Sequence, residues 1–378
     1  MLLIQEYLRT PGKSLETLAG QFAIKVRPNE RLGVVTLNYD QIFSDVNLPL
    51  VQECRALILE LGTWTVRSLP FKRFFNLEEN RSPDFNWSSF DTWEKLDGSL
   101  IAFWHHATEG WQVSTRSNSD GSNTFDDSGE TFKALILRTL KDMGTSLKEV
   151  TQEFSPAYCY TCELQTPETQ VVTTVHKRTL SLLAVRDLSN LQEVHIHTWI
   201  KDHPGFTLPL VQNYPGFTLD AVKAAVQARG PLEHEGYVLM DNNFNRIKVK
   251  SAAYILMSSR RDSLGKSNKA RVELILSGAD DDVMGILPVL LQEKITTLKA
   301  QINALAVQID QDYAKYKGIE NQKDFALAVM AGSVNPPAMF TLRKGALTSG
   351  HEYLRQARPK SILEWIHVED DEEIVEEA

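Results

Sequence analysis

The sequence predicts an α+β fold, in which a β-rich domain over residues 1–258 is followed by an all-helical domain over residues 259–368. Two observations lead to this prediction. Short runs of β-branched and aromatic residues, broken by Gly, Pro, Asn and Asp, occupy residues 30–255. Beyond residue 258 the apolar residues instead recur at helical spacing. Residues 369–378 form a third, predominantly acidic segment.

The β-rich part contains several runs that are typical of strands, and one helix. The helix is predicted over residues 131–143, where four apolar side chains recur on one face. The clearest strand candidates are Gly33-Val-Val-Thr-Leu-Asn, Ala56-Leu-Ile-Leu-Glu-Leu, Ser99-Leu-Ile-Ala-Phe-Trp, Trp111-Gln-Val-Ser-Thr-Arg and Thr179-Leu-Ser-Leu-Leu-Ala-Val.

The helical part is dominated by one long apolar stripe. Pro288 suits the start of this helix and Gly318 its end. Residues 325–330 and 338–357 are also predicted to be helical. A dimeric coiled coil and a helix of an intramolecular bundle need the same stripe, and we favour the bundle. The stripe consists of Leu291, Ile295, Leu298, Ile302, Leu305 and Ile309.

Composition places the chain among ordinary globular proteins. It has 378 residues, of which 42% are hydrophobic and 24% charged, so fibrous and wholly disordered classes are excluded. No apolar run approaches the roughly 18 residues that span a bilayer, and the N-terminus lacks a signal-peptide layout. We therefore expect a cytoplasmic protein with no membrane partner. The three cysteines, Cys54, Cys159 and Cys162, are expected to be reduced.

The net charge of −9 is concentrated at one end of the chain. Residues 369–378 carry seven acids and no base, so residues 1–368 have a net charge of only −2. We expect the acidic segment to be a disordered tail. The overall charge therefore does not exclude a nucleic-acid partner for the rest of the chain.

The sharpest motif is Lys95-Leu96-Asp97-Gly98-Ser99, which runs directly into a predicted strand. A lysine next to a tight Asp-Gly turn is held where its amine can face a pocket. The alternative is a hairpin turn that carries a solvated lysine.

A second set of charges falls on a predicted hairpin. The period of a strand puts Lys248 and Lys250 on one face. If the preceding strand folds back about residues 242–243, Glu235 lies roughly opposite Lys250. Two lysines and a carboxylate on one face suit a polyphosphate and its metal, although a solvated surface ladder would look the same.

Three further segments add to this set. Glu53-Cys54-Arg55 opens a strand, and Pro70-Phe-Lys-Arg73-Phe-Phe-Asn76 combines bases with aromatic residues. Glu163 is a lone carboxylate in the apolar strand 160–164, where it needs a hydrogen-bond partner. A ribose hydroxyl would be a suitable one.

In this order, the segments resemble the motifs of covalent nucleotidyltransferases, which include DNA ligases, RNA ligases and mRNA capping enzymes. The chain is most similar to the bacteriophage RNA ligase 1 family, over roughly residues 34–255. A helix after the last lysine motif, in place of the β-barrel of DNA ligases and capping enzymes, favours this branch. The closer similarity lies in Asn38-Tyr39, Glu53-Cys-Arg-Ala, Phe74-Phe-Asn-Leu, Leu182-Leu-Ala-Val-Arg186 and Lys250-Ser-Ala-Ala-Tyr254.

The resemblance implies an antiparallel-β, ATP-grasp-like adenylyltransferase domain over residues 1–258 and a C-terminal helical domain that selects the RNA. It also implies an ATP-dependent RNA ligase that joins 5′-phosphate and 3′-hydroxyl ends through lysyl-AMP and RNA-adenylate intermediates. The implied cofactors are ATP and Mg²⁺, which Mn²⁺ could replace. The resemblance further implies a monomer that repairs cleaved tRNA. If a phage encodes the protein, this repair would take place in the host cytoplasm.

The same resemblance suggests roles for individual residues. Lys95 is the nucleophile, and the catalytic set also includes Lys248, Lys250 and Glu235. Metal contacts are expected from Glu235, with Asp281 and Asp282 as weaker candidates for which helix capping is the alternative. The expected nucleotide contacts are Leu37, Arg55, Arg73, Glu94, Lys95, Glu163, Glu235, Lys248 and Lys250. Further site residues are Asp97, Gly98, Arg116, Gly236 and Tyr254.

Three positions depart from the family pattern. A lysine is usual where Arg73 stands, so Arg73 or its neighbour Lys72 takes that role. Leu37 replaces an aromatic residue, and Arg116 replaces a lysine. Two alternative functions stay open: a DNA ligase or capping-type enzyme, and a non-catalytic RNA-binding relative.

Overall fold

The protein divides into two compact units in the computed structural model. The first comprises Met1–Asp40 and Ser44–Ser258, and the second comprises Gln41–Phe43 and Ser259–Ala378. The structure describes residues 1–370 apart from residues 83, 126–127, 171, 231–232, 252–253, 256–263, 265–266, 279, 281–283, 285–286 and 288.

The described strands of the first unit form three sheets. Their orders are β1-β2-β3-β4, β11-β10-β9-β7-β8 and β5-β13-β12-β6, and every pairing is antiparallel except that of β5 with β13. The strands are β1 Ile24–Asn29, β2 Val34–Tyr39, β3 Leu57–Glu60, β4 Val66–Ser68, β5 Phe75–Asn76, β6 Phe90–Lys95, β7 Ser99–His106, β8 Gly110–Ser114, β9 Tyr158–Gln165, β10 Thr179–Asp187, β11 Glu193–Val194, β12 Gly236–Asp241 and β13 Arg246–Lys250.

The largest apolar cluster of this unit covers the five-stranded sheet. Alternate residues of β7 and β9 point into it, because successive side chains of a strand face opposite sides. The predicted helix over residues 131–143 is confirmed as Phe132–Asp142, and its Leu135, Ile136 and Leu140 are fully buried against the sheet. The helices of this unit are α1 Leu3–Arg9, α2 Leu15–Phe22, α3 Pro49–Glu53, α4 Phe132–Asp142, α5 Leu147–Val150, α6 Ile196–Lys201 and α7 Leu219–Ala228.

The predicted lysine hairpin is present as β12 and β13, with a register one residue from the expected one. Gly236, not Glu235, lies opposite Lys250. Gly236 has φ +151°, and a Cβ atom there would lie 2.1 Å from the carbonyl oxygen of Val249. Only glycine therefore allows the two strands to approach so closely at the point where Glu235 leaves the sheet.

The second unit is helical in its described part. The long helix is confirmed as Val289–Tyr316, and its buried stripe packs against α8, α10, α11 and α12 of the same chain, as expected for an intramolecular bundle. Its helices are α8 Asn268–Ser277, α9 Val289–Tyr316, α10 Gln322–Gly332, α11 Pro336–Arg343, α12 Gly350–Gln356 and α13 Pro359–Trp365.

The stretch 338–357, which was predicted to be helical, is helical except around residues 344–349. Two helices, Pro336–Arg343 and Gly350–Gln356, occupy this stretch. Gly345 adopts the left-handed conformation, with φ +70°, after the first helix. Ser349 then begins the second helix by accepting a hydrogen bond from the backbone N–H of Glu352.

The start of the acidic segment contacts the beginning of α8. An Asp370 carboxylate oxygen accepts hydrogen bonds from the Ser267 hydroxyl, at 3.0 Å, and from the Lys269 backbone N–H, at 2.9 Å. Residues 371–378 of the predicted tail lie outside the described residues. Among the helices that the structure describes, none has the length and apolar character needed to cross a membrane.

Candidate active site

A cavity of about 460 Å³ lies in the first unit, lined by residues of the five-stranded sheet and of the sheet that contains β6, β12 and β13. One part of its wall is apolar, with Phe71, Phe74, Trp93, Leu183, Val238 and Met240. The charged side chains that line it are Arg55, Glu94, Lys95, Arg116, Glu163, Glu193 and Arg246. A cavity with an apolar wall and a charged rim, in which four cationic side chains outnumber three carboxyl groups, suits a ligand that has both a ring system and negative charge.

Lys95 is the last residue of β6, and its amine faces Glu235. The Nζ atom lies 2.7 Å from Oε2 of Glu235, and Nζ of Lys250 lies 3.4 Å from Oε1 of the same carboxylate. Glu235 is only 4% exposed. The structure thus brings Lys95 together with Glu235 and Lys250, which lie 140 and 155 residues further along the chain.

The segment after Lys95 crosses from one sheet to the other. β6 pairs with β12, whereas β7, which begins at Ser99, pairs with β8 and β9. The alternative of a hairpin turn with a solvated lysine is therefore wrong. Gly98 is required here because a Cβ atom would lie 2.3 Å from the carbonyl oxygen of Leu164.

Asp97 ties this crossover to two distant segments. Its Oδ2 atom accepts hydrogen bonds from the backbone N–H groups of Val172, at 2.9 Å, and Thr173, at 2.7 Å. Its Oδ1 atom accepts one from the Tyr254 hydroxyl, at 3.0 Å. Asp97 is buried, so these three donors satisfy a carboxylate that would otherwise be costly to bury. Asp97 and Tyr254 thereby fix the position of Lys95 rather than line the cavity.

Glu163 lies on β9 and faces the cavity. Burial raises the pKa of its carboxyl to about 8. The negative charges of Glu235 and Asp97 also raise this pKa, whereas the positive charges of Lys95 and Arg55 lower it. The carboxyl is therefore protonated at neutral pH in the absence of a ligand. A protonated carboxyl can donate a hydrogen bond to a ligand oxygen and can also accept one.

Three arginines surround the ring of Tyr39. The guanidinium carbons of Arg73 and Arg116 lie 5.1 and 4.9 Å from the ring centroid, and Arg73 also donates a 3.1 Å hydrogen bond to the hydroxyl. Although burial alone would raise it, the charges of Arg116, Arg55 and Arg73 lower the pKa of Tyr39 to about 8. No role was predicted for Tyr39 beyond its place in a motif, because its arginine neighbours are remote along the chain.

Two of these guanidinium groups have N–H donors that are not used within the described part of the chain. Nη1 of Arg55 and Nη2 of Arg116 are buried and have no hydrogen-bond partner among the residues that the structure describes. Buried N–H groups are rarely left unpaired in native proteins, so these two indicate an anionic ligand. Arg55 also packs on the ring of Phe74. Nζ of Lys248, on the lysine hairpin, lies 5.8 Å from the centroid of the same ring.

Not every residue expected at the nucleotide lines this cavity. Leu37 does not, because its side chain is fully buried in the apolar cluster of the first sheet. Four other expected residues also lie outside the lining: Arg73, Glu235, Lys248 and Lys250. Lys72 pairs with Glu53 at 3.1 Å, whereas Arg73 packs against Tyr39 and Phe75. Of the two, Arg73 is the one that joins the arginine cluster.

Glu94 lines the cavity beside Lys95 and contacts a buried histidine. Its carboxylate accepts a hydrogen bond from the Tyr214 hydroxyl at 3.4 Å and lies 3.6 Å from Nε2 of His234. Burial, together with the charge of Arg229, lowers the pKa of His234 to about 4, so this ring is neutral at pH 7.

A divalent metal would find few protein ligands here. Within the part of the chain that the structure describes, no group of three or more His, Cys, Asp or Glu side chains could hold a metal ion by itself. The expected ligands Asp281 and Asp282 lie outside the described residues. Glu235, which pairs with the cavity residue Lys95, offers one carboxylate, and this fits Mg²⁺, an ion that commonly binds through one or two carboxylates, substrate phosphates and water.

The site therefore combines a lysine amine paired with a carboxylate, a cationic rim with unpaired donors and a mostly apolar wall. This combination is the one that a lysine-dependent nucleotidyltransferase needs. A family model described as RNA ligase, that of the phage T4 RNA ligase 1 family, matches residues 53–254, which is more than half of the chain. The chain belongs to this RNA ligase family.

Individual relatives are more distant. The chain is 28% identical over 303 residues to a putative bifunctional polynucleotide kinase/RNA ligase of the Autographa californica nuclear polyhedrosis virus, with 76% of this chain and 42% of that protein covered. The chain thus spans less than half the length of this relative.

Among solved structures, the chain is similar to an RNA ligase of Naegleria gruberi. A ligand-free form shows 18% identity and a TM-score of 0.38, with 48% of this chain and 56% of that chain covered. A form of the same ligase with ATP and Mn shows 16% identity and a TM-score of 0.33, with 44% and 49% covered. Similarity at this level transfers neither a fold nor a function.

Proposed function

We propose that the protein is an ATP-dependent RNA ligase that joins 5′-phosphate and 3′-hydroxyl ends. The observation that carries the proposal is the pairing of Lys95 with Glu235, at 2.7 Å, at the edge of a cavity with unpaired guanidinium donors. Membership of the RNA ligase family supports the choice of RNA as substrate.

The proposed reaction has three steps. Nζ of Lys95 attacks the α-phosphorus of ATP, so that a P–N bond forms, a P–O bond breaks and pyrophosphate leaves. The 5′-phosphate of an RNA strand then attacks the same phosphorus, which returns the lysine and gives an RNA adenylate. Finally a 3′-hydroxyl attacks the 5′-phosphate and releases AMP.

The residues at the site match the demands of the first step. A lysine amine is ordinarily protonated at neutral pH and cannot attack. Oε2 of Glu235 lies 2.7 Å from Nζ and would orient the amine, while nearby guanidinium groups and a bound metal ion would favour its unprotonated form. Charge that develops on pyrophosphate would be stabilised by Arg55, Arg73, Arg116, Lys248 and Lys250.

The remaining contacts concern the nucleoside and the cofactor. Protonated Glu163 can donate a hydrogen bond to a ribose oxygen. Mg²⁺ or Mn²⁺, bound through Glu235 and phosphate oxygens, would supply further neutralising charge when present. Leu37, which lies in the core, has no part in this proposal.

The wider expectations extend this proposal. Residues 1–258 would act as an ATP-grasp-like adenylyltransferase domain, and residues 259–368 would help select the RNA. A monomer that repairs cleaved tRNA in the cytoplasm fits the family resemblance.

The test is covalent labelling with α-³²P-ATP and Mg²⁺. We expect an acid-labile, base-stable adenylate on the protein and release of pyrophosphate. Lys95→Ala should abolish the label, while the exposed-site control Lys141→Ala should keep it. Equal labelling of both variants would overturn the assignment of Lys95, and labelling by GTP in preference to ATP would instead favour a capping-type enzyme. RNA binding without any label would favour a non-catalytic relative.

A further inference from the structure

A second cavity, of about 720 Å³, adjoins the candidate active site within the first unit. Both cavities are lined by Phe71, Phe74, Glu193, Phe244 and Arg246, so these five residues form a shared wall. A ligand in one cavity would therefore lie beside a ligand in the other. We call the second cavity the basic groove.

The charge of the basic groove is opposite in sign to that of the whole chain. Five basic side chains outnumber two acidic ones among the described residues that line it, whereas the chain has a net charge of −9. The acids are Asp84 and Glu193. The bases are Lys72, Arg73, Arg81, Arg186 and Arg246.

One of the two acids is already neutralised. The carboxylate of Glu193 is held by Nη2 of Arg186, at 2.5 Å, and by Nη2 of Arg246, at 2.6 Å. Two guanidinium groups share this one buried carboxylate, so an excess of positive charge remains there, although Lys72 pairs with Glu53 and Arg81 lies 3.9 Å from Glu79. Such a surface favours a polyanion.

Neutral donors and aromatic rings complete the lining. Phe74 and Phe244, which line both cavities, are half-buried and present a ring at the junction. Cationic grooves with aromatic rings on which bases stack are typical of sites for single-stranded nucleic acid. Amides can pair with base edges and sugars; those of the groove are Asn47, Gln52, Asn80, Gln192, Asn243 and Asn245.

We propose that the basic groove binds the 5′-phosphorylated end of a single-stranded RNA and directs this phosphate past Phe74 toward the adenylated lysine. This inference rests on the proposed function, because the neighbouring cavity must take the adenylate. The repeating phosphates match the guanidinium groups, and the shared wall places the strand where the second step of the reaction occurs.

The test changes the charge of the groove at two residues that have no part in the proposed chemistry. Arg81 and Gln192 are exposed and line the groove. The double variant Arg81→Glu/Gln192→Glu changes its charge by three units. The matched control, Gln21→Glu/Arg27→Glu, makes the same change at exposed residues of α2 and β1 that do not line the groove.

The probe is a fluorescent, 5′-phosphorylated oligoribonucleotide of about ten nucleotides, within the usual site size for single strands. We expect the groove variant to bind it at least about tenfold more weakly than the control. Each lost phosphate contact should also make the slope of log affinity against log salt concentration shallower by about 0.7. Gln192→Lys, which adds a positive charge, should bind more tightly than the wild-type protein.

Two further measurements distinguish a failure of this inference from a failure of the proposed function. Thermal unfolding and lysyl-AMP formation from ATP alone should be the same in the groove variant and its control. Equal RNA affinity of these two variants, or no gain with Gln192→Lys, would overturn the inference even if lysyl-AMP forms normally. Absence of lysyl-AMP in the wild-type protein would overturn the proposed function, while the affinity comparison would still decide whether the groove binds RNA.

Discussion

The hydroxyl of Tyr254 donates a buried hydrogen bond of 3.0 Å to Oδ1 of Asp97, across 157 residues of sequence. Asp97 lies two residues after Lys95 and has no access to the cavity. Tyr254 follows the lysine hairpin, so this single contact links the end of β13 to the segment that carries the proposed nucleophile. The position of Lys95 therefore depends on a hydrogen bond between two residues that do not line the cavity.

Loss of this hydroxyl should slow the first step of the reaction. A net contribution of about 1 kcal/mol is usual for one intramolecular hydrogen bond, so we expect Tyr254→Phe to form lysyl-AMP about five- to tenfold more slowly. Tyr7→Phe is the control, since its exposed hydroxyl bonds only to Thr17 and Gln21. The measurement is single-turnover labelling with ATP. Equal rates for the two variants would show that Asp97 holds its place without Tyr254.

Glu163 should make stability depend on pH. Between its ordinary pKa of 4.5 and its folded value of about 8, the folded protein keeps a proton that the unfolded chain has lost. Stability is therefore fully present below pH 4.5 and falls as the pH rises toward 8. Urea unfolding of the ligand-free protein should show this fall, and Glu163→Gln should reduce it. Glu16→Gln, at an exposed residue of α2, should leave the wild-type profile unchanged.

Tyr39 should ionise at unusually low pH. In an ultraviolet absorbance titration of the folded protein, one tyrosine should form its phenolate near pH 8 rather than 10. Tyr39→Phe should abolish this step. Arg116→Met should move it to higher pH, because one of the charges that favour the phenolate is lost. Pyrophosphate should move it in the same direction if it binds these guanidinium groups. An unchanged titration in Arg116→Met would contradict the proposed electrostatic cause.

Gly236→Ala should destabilise the first unit. The new methyl group would lie 2.1 Å from the carbonyl oxygen of Val249, at a φ that L-residues rarely adopt. Overpacking and backbone strain each cost about 1–3 kcal/mol, so we expect a loss of roughly 3 kcal/mol or more in urea unfolding. Gly20→Ala, in α2 with no atom near the added methyl group, should instead gain about 0.5–1 kcal/mol. Similar stabilities would contradict the packing at Gly236.

The sequence predicted the motifs and strands that carry the site better than the register and the contacts between them. Strand period and turn residues, which are local signals, grouped Glu235 with Lys250, and the family resemblance added Lys95; the structure brings these three side chains together. The hairpin register was wrong by one residue, since the close approach at Gly236 depends on a backbone angle that no local pattern reveals. The split at Gly345 was missed, although Ser349 and the acidic Glu352 form a recognisable helix start.

Local patterns did not predict the contacts between distant segments. The arginines around Tyr39 come from three separate segments, and the Asp97–Tyr254 pair joins residues that are 157 positions apart in the sequence. Leu37 was expected at the nucleotide from its position in a motif, but its side chain points into the core. A motif gives the order of residues along a strand, whereas the packing of whole sheets decides which side chain faces the ligand.

The crossover at residues 96–98 also has a mechanical consequence. Lys95 is hydrogen-bonded into one sheet and Glu163 into the other, and only three residues join the first sheet to the strand beside Glu163. Because this connection is so short, the end of β6 and the start of β7 cannot move far apart. A shift of either sheet would therefore also shift the amine proposed as the nucleophile relative to the carboxyl of Glu163.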